Sequence, residues 1–466
     1  MNFTWEKLLC PERPVSEEPG YGKDLRTEYE RDYQRIITSP SFRRLADKTQ
    51  VFPLDKSDFI RTRLTHSLEA ASIGRSLAEN ISEEIIKKGI DPQFTADTES
   101  RLASVIESAG LVHDIGNPPF GHFGEETIRF WFREHLRTLN YKNKPVKDFL
   151  TPQQQYDLLN FDGNAQGIRV LTKLHFSENG HGLNVTYALL SAMLKYPTPS
   201  NSMKPDSDNV RERKLGFFAS EARLFNDIQK NTGTRGARNP LAFILEAADD
   251  IAYSTADIED AFRKGFIDYG TLLEELKKRG VGGRHTERLK ERFESTRQRA
   301  ASGDGEYAVQ AWMADVRDYF ISEASGAFVE GYGELMDGVL MKELLASRAE
   351  AWTLLKALKS IAYDYAFTSM EIYKTEIAAN RILTYLLNWI TGAALRYDST
   401  EAPRILDEKF MSLFSKNYLE AYRSAARGLK EEDKVYYKLL LATDTISGMT
   451  DGYARDLYTD LNGITF

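Results

Sequence analysis

The chain has 466 residues, more than one compact core usually holds, so its length predicts a two-domain or large one-lobed molecule. Hydrophobic residues make up 42% and charged residues 28%, which excludes general disorder, and no apolar run approaches the roughly 18 residues of a membrane span. The net charge of −8 excludes a surface built throughout for nucleic acid, so a polyanion would have to meet a local basic patch or a metal.

The N-terminus carries acids early and no apolar h-region, and Cys10 is the only cysteine. Together these predict a cytoplasmic protein with no signal peptide, intramolecular disulfide or thiolate zinc ribbon. Along the chain, helical periodicity dominates. A first helix spans Tyr29 to Leu45, broken at Ser39-Pro40, and an amphipathic helix spans Thr65 to Lys88 with His66, Ala70, Ile73, Leu77 and Ile81 in line. The spacing predicts helix again over Glu99 to Gly116 and, past the break Asn117-Pro118-Pro119, over Phe120 to Leu139. Further helices are expected over Gly180 to Lys195, Leu241 to Lys264 and much of Trp352 to Asp460. Tyr196 to Arg213 reads as an exposed loop ending in basic residues, and Gly280 to Arg299 as a solvated helix or linker. The fold class is therefore all-α, with at most a small β-hairpin.

Chemistry concentrates on three apolar helix faces. His113 and Asp114 close one of them, His66 lies on the buried stripe of another, and Asp249 sits on the stripe of Leu245, Ala248, Ala252 and Ala256. Asp250 is rotated about 100° off that stripe. A single buried imidazole or carboxylate is usually structural. Two of each on three buried faces are better explained by one divalent cation with mixed nitrogen and oxygen ligands, since unpaired buried charge is costly.

The order H…HD…D resembles the HD superfamily of metal-dependent phosphohydrolases. The surrounding blocks narrow the likeness: Phe42 to Leu45 with Lys48 to Phe52, Thr62 to Glu69, His113 to Glu125, Phe161 to Gly167, Glu246 to Tyr253 and Ile446 to Asp451. In order along nearly the whole chain, they resemble the deoxyguanosine-triphosphate triphosphohydrolase (dGTPase) family. The His113–Glu125 block is the most specific of them.

The resemblance implies that His66, His113, Asp114 and Asp249 hold a divalent metal, Mn or Mg first, with Fe, Co, Ni or Zn as further candidates. It implies water attack on the α-phosphorus of a deoxynucleoside triphosphate, dGTP favoured, giving a deoxynucleoside and intact triphosphate. His122 and Glu125 would form a catalytic dyad near the leaving 5′-oxygen or the nucleophile. Arg63, one turn before His66, can reach phosphate bidentately. Lys195, Tyr196 and Lys214 match positions that grip triphosphate or sugar, Tyr253 and Asp257 match a deoxyribose site, and Gln50 matches a candidate base reader. Asn117 stands where some HD relatives carry a further histidine, so that ligand or proton carrier is absent here. His135, His175, His181 and His285 have no partner pattern and read as structural or exposed.

The implied organisation is a catalytic HD core over residues 1–270 and a helical region over 271–466 that completes the pocket and an oligomer interface. The aromatic-rich C-terminal helices predict a homo-oligomer, a hexamer or tetramer, and the resemblance adds a regulatory nucleotide or single-stranded DNA as further ligands. Two other readings share the HD scaffold. An HD enzyme for another nucleotide would need the metal ligands but not His122, Glu125, Tyr253 and Asp257. A non-catalytic dNTP sensor or single-stranded nucleic-acid binder would be expected to have lost a ligand or the dyad, and none is lost.

Overall fold

The computed structural model describes residues 2–16, 25–54, 60–175, 182–299 and 305–464. Among these the only named strands are Asn140–Tyr141 and Lys144–Pro145, which pair as one antiparallel hairpin; the rest of the regular structure is helical. His181 lies outside the described residues.

Local sequence sets where the site-bearing helices begin and end. Thr62 caps the helix Arg63–Lys88 through its hydroxyl, and Gly89 ends it in the left-handed conformation that glycine adopts freely. Thr95 caps Ala96–Val112 in the same way. Asn239 caps Pro240–Arg263, where Pro240 at the first turn gives up an N–H that has no helical partner anyway. These three helices pack on one another through fully buried Leu77, Ile81, Ile106, Leu245 and Ala248. Gly110 makes the tightest crossing: a Cβ there would lie 2.5 Å from the Ala71 Cα, so the two backbones touch directly. Buried apolar residues from Phe3 to Ala454 form one continuous cluster that includes the C-terminal helices Met370–Arg396 and Val435–Ser447.

Three expected elements differ. The helix expected to run on to Gly116 stops at Val112, and residues 113–116 are tight turns with Ile115 N–H donating to Val112 and Asn117 N–H to Asp114. His113 Nδ1 donates to the Gly110 carbonyl at 2.8 Å and so helps close the helix end. The helix before Lys195 covers only Tyr187–Met193, because Gly182 and Asn184 take positive φ ahead of the Thr186 cap. The loop 196–213 is exposed at its centre but buries Thr198, Ser200 and Val210 at its ends. Gly283–Arg299 is a helix, and the break at Ser39-Pro40 separates Glu28–Thr38 from Pro40–Arg44.

Candidate active site

His66, His113 and Asp249 converge from the three packed helices. The two Nε2 atoms are 3.2 Å apart, and Asp249 Oδ1 is 3.3 Å from each. Because His113 Nδ1 donates to Gly110, its Nε2 carries a lone pair in the neutral ring. That lone pair faces a carboxylate oxygen and a second imidazole, an arrangement that repels unless a cation or proton stands between them. Ligand atoms held about 2.2 Å from one cation at near right angles lie about 3.1 Å apart. The observed spacing fits a divalent metal, and among the described residues these three form the one such cluster.

Asp114 lies beside that cluster rather than in it. Its Oδ1 is 3.6 Å from His113 Nε2 and accepts from Asn117 Nδ2 at 2.7 Å, while Oδ2 pairs with Arg63. Burial opposes ionisation of Asp114, but Arg63 and then His113 outweigh it and hold the carboxyl below its ordinary range. Burial likewise disfavours the Asp249 anion, and Lys195, whose Nζ donates to Oδ2 at 2.8 Å, outweighs it together with His113. Asp250 points elsewhere and takes Lys359 at 2.9 Å.

His122 opens the second part of the site. Its Nδ1 is 3.1 Å from Glu125 Oε2, leaving Nε2 free, and its side chain is 79% exposed while that of Glu125 is buried. Glu125 Oε1 accepts the Gly163 amide at 2.6 Å, and Arg129 donates to Oε2 at 3.2 Å. The hydrogen bond to Glu125, then its charge, raises the His122 pKa.

The other expected substrate residues are placed unevenly. Arg63 is buried with Nε unpartnered, and Lys195 is engaged with Asp249. Lys214 is half-exposed with Nζ 3.8 Å from Asp162 Oδ2, and Tyr196 packs half-buried on the core. Tyr253 is half-buried under Lys359, whose ammonium lies 4.8 Å from the ring centre. Asp257 is buried, and burial followed by Asp260 pushes its pKa well up. Gln50 is half-buried with an unpartnered Oε1. Among the described residues, no hydrogen bond or ion pair joins Gln50, Tyr253 or Asp257 to the His66 cluster, though the Asp249 charge is felt at both Tyr253 and Asp257. Reading the residues alone missed the support of Glu125 by Arg129 and Gly163; its only signal was the block Phe161 to Gly167, which carried no assigned role.

Comparison with known proteins gives the class: residues 63–155 match the HD domain, whose members are metal-dependent phosphohydrolases. The chain is 42% identical to a deoxyguanosinetriphosphate triphosphohydrolase-like protein of Listeria monocytogenes, over 99% of this chain and all of the relative. It is 33% identical to a protein of the same name from Pseudomonas aeruginosa strain LESB58, over 98% of each. It is 31% identical to the deoxyguanosinetriphosphate triphosphohydrolase of Serratia proteamaculans, over 96% of each. The chain belongs to the dGTPase family of the HD superfamily. Among the described residues, no helix is long and apolar enough to cross a membrane.

Proposed function

We propose that the protein is a cytoplasmic dNTP triphosphohydrolase, acting foremost on dGTP, that releases the deoxynucleoside and intact inorganic triphosphate. The observation that carries this reading is the exposed His122 imidazole, oriented by buried Glu125 at 3.1 Å, in the same loop-and-helix block as His113. His66, His113 and Asp249, with Asp114 beside them, would hold Mn or Mg. When bound, that cation lowers the pKa of a coordinated water and offsets charge on phosphoryl oxygens.

The protein's own groups supply the rest. Arg63 and Lys195 bring positive charge to the cluster, and Lys214 adds another near Glu125. Tyr196 flanks Lys195. As water oxygen bonds to the α-phosphorus and the bond to the 5′-oxygen breaks, His122 Nε2 delivers its proton to that leaving oxygen, and the proton shed by the attacking water passes to solvent. Tyr253 and Asp257, one turn apart on the Asp249 helix, form the deoxyribose side, and Gln50 offers an amide to the base. In this reading residues 1–270 form the catalytic core, and residues 271–466 complete the pocket and build a hexamer or tetramer. Met370, Tyr373 and Ile377, all exposed at spacings of three and four on one helix face, support such an interface.

Turnover of the four dNTPs and their ribonucleotide counterparts with Mn or Mg tests the assignment. Deoxynucleotides, dGTP first, are expected to turn over, and equal turnover of GTP would overturn the sugar-site assignment.

A further inference from the structure

Lys48 and Asp451, from two of the sequence blocks, have no part in the chemistry above, yet both reach the site. Lys48 is buried and donates from Nζ to the Asn117 carbonyl at 2.5 Å and to the Ser447 carbonyl at 2.7 Å, the latter 399 positions away. Its own carbonyl accepts the amide of Arg63, at the start of the His66 helix. Asp451, also buried, accepts the Phe120 amide on Oδ1 at 2.9 Å and the Thr49 amide on Oδ2 at 3.0 Å. The loop from His113 to Gly121 is therefore held at its middle, Asn117, and near its end, Phe120, by side chains that are not part of it.

The loop needs such holding. Phe120 has a φ of +62°, a left-handed conformation that costs a large non-glycine residue energy and persists only where the surroundings impose it. Gly121 follows at +59° with Arg63 Nη2 only 2.4 Å from where a Cβ would stand. His122 is the next residue, so the direction of its imidazole follows from this turn. His113 depends less on it, because the Gly110 carbonyl fixes its ring.

We propose that Lys48 and Asp451 are positioning residues that clamp the 113–121 loop and so aim His122. The proposal rests on the dNTP reading of the site. It makes the C-terminal hairpin of Val435–Ser447 and Asp451–Leu461 a working part of the catalytic loop.

The test uses the full-length, metal-loaded protein carrying D451N or K48M, with D456N on the exposed face of the last helix as a control. In D451N and K48M, amide exchange at Asn117, Phe120 and Gly121 should quicken at least tenfold with metal content unchanged. The kcat for dNTP should fall by roughly 10- to 100-fold, as small misplacements do, with KM within about twofold. D456N should match the parent. In an H122A background D451N should cost little more, because the two act through one group. An unchanged kcat in both variants, or a D451N loss of equal size with and without His122, would overturn the proposal. If one variant fails to fold, the other decides alone. A parent protein inactive on every dNTP would overturn the functional reading instead, and the exchange rates would still score the clamp.

Discussion

His122 owes its proton affinity to Glu125, and this sets a pH dependence. The hydrogen bond and the charge of Glu125 raise the imidazole pKa above its ordinary 6.5. As the proton donor, His122 acts in its protonated form, so activity is lost as pH rises through that raised pKa. The alkaline limb of kcat/KM should therefore lie above pH 6.5, and E125Q should move it to lower pH. H122A should keep the metal and lose roughly 10²–10⁴-fold in rate. A limb that stays in place in E125Q would show that the dyad does not set it. At the cation site, H66A, H113A, D114A and D249A should each lose bound metal by elemental analysis. D250A, whose carboxylate serves Lys359, should retain it. Full metal in D249A and none in D250A would reverse the assignment.

At the scale of elements, the helix crossing at Gly110 and the buried ion network behind the loop matter most. G110A would push a methyl into the Ala71 backbone, with its Cβ 2.5 Å from Cα and 2.7 Å from N, neither of which can rotate away. Overpacking of this kind costs about 1–3 kcal/mol. Here it also separates the helices that bring His66 and His113 to 3.2 Å, so metal affinity should fall together with Tm. Arg169 donates to both oxygens of Asp444 at 2.8 and 2.6 Å and to Glu221 at 3.0 Å, all buried. R169M would leave two carboxylates without their cation and should cost about 3–5 kcal/mol in denaturant unfolding. A loss below about 1 kcal/mol would mean the pair is dispensable.

The elements themselves were largely legible. Amphipathic spacing marked the helices bearing His66 and Asp249, because a helix that buries one face must repeat its apolar residues. The end of the His113 helix was not legible. Its apolar pattern runs on to Gly116, while the imidazole bond to the Gly110 carbonyl and the following tight turns stop the helix at Val112. The lead into Lys195 failed for a similar reason, since positive φ at Gly182 and Asn184 leaves no trace in hydrophobic periodicity.

Across the whole molecule, what remained hidden is contact between distant segments. Spacing can put His66 and Asp249 on buried faces, but nothing local shows that Lys48 reaches Ser447 or that Asp451 holds the amide before Gly121. The placement of Asp114 is hidden in the same way: Arg63 and Asn117 take its oxygens and leave three atoms, not four, in the tight cluster. Met370, Tyr373 and Ile377 are exposed on one helix face, the surface on which the proposed assembly rests. Light scattering at micromolar concentration should report a hexamer or tetramer, and a lone 53.0 kDa species would refute it.

The central claim is the bond that breaks. Hydrolysis of dGTP in ¹⁸O-labelled water with Mn or Mg, followed by chromatography and mass analysis of the first products, tests it most directly. The account predicts unlabelled deoxyguanosine and inorganic triphosphate carrying one labelled oxygen, from attack at the α-phosphorus. Orthophosphate or pyrophosphate as the first inorganic product, or label in the nucleoside, would contradict it.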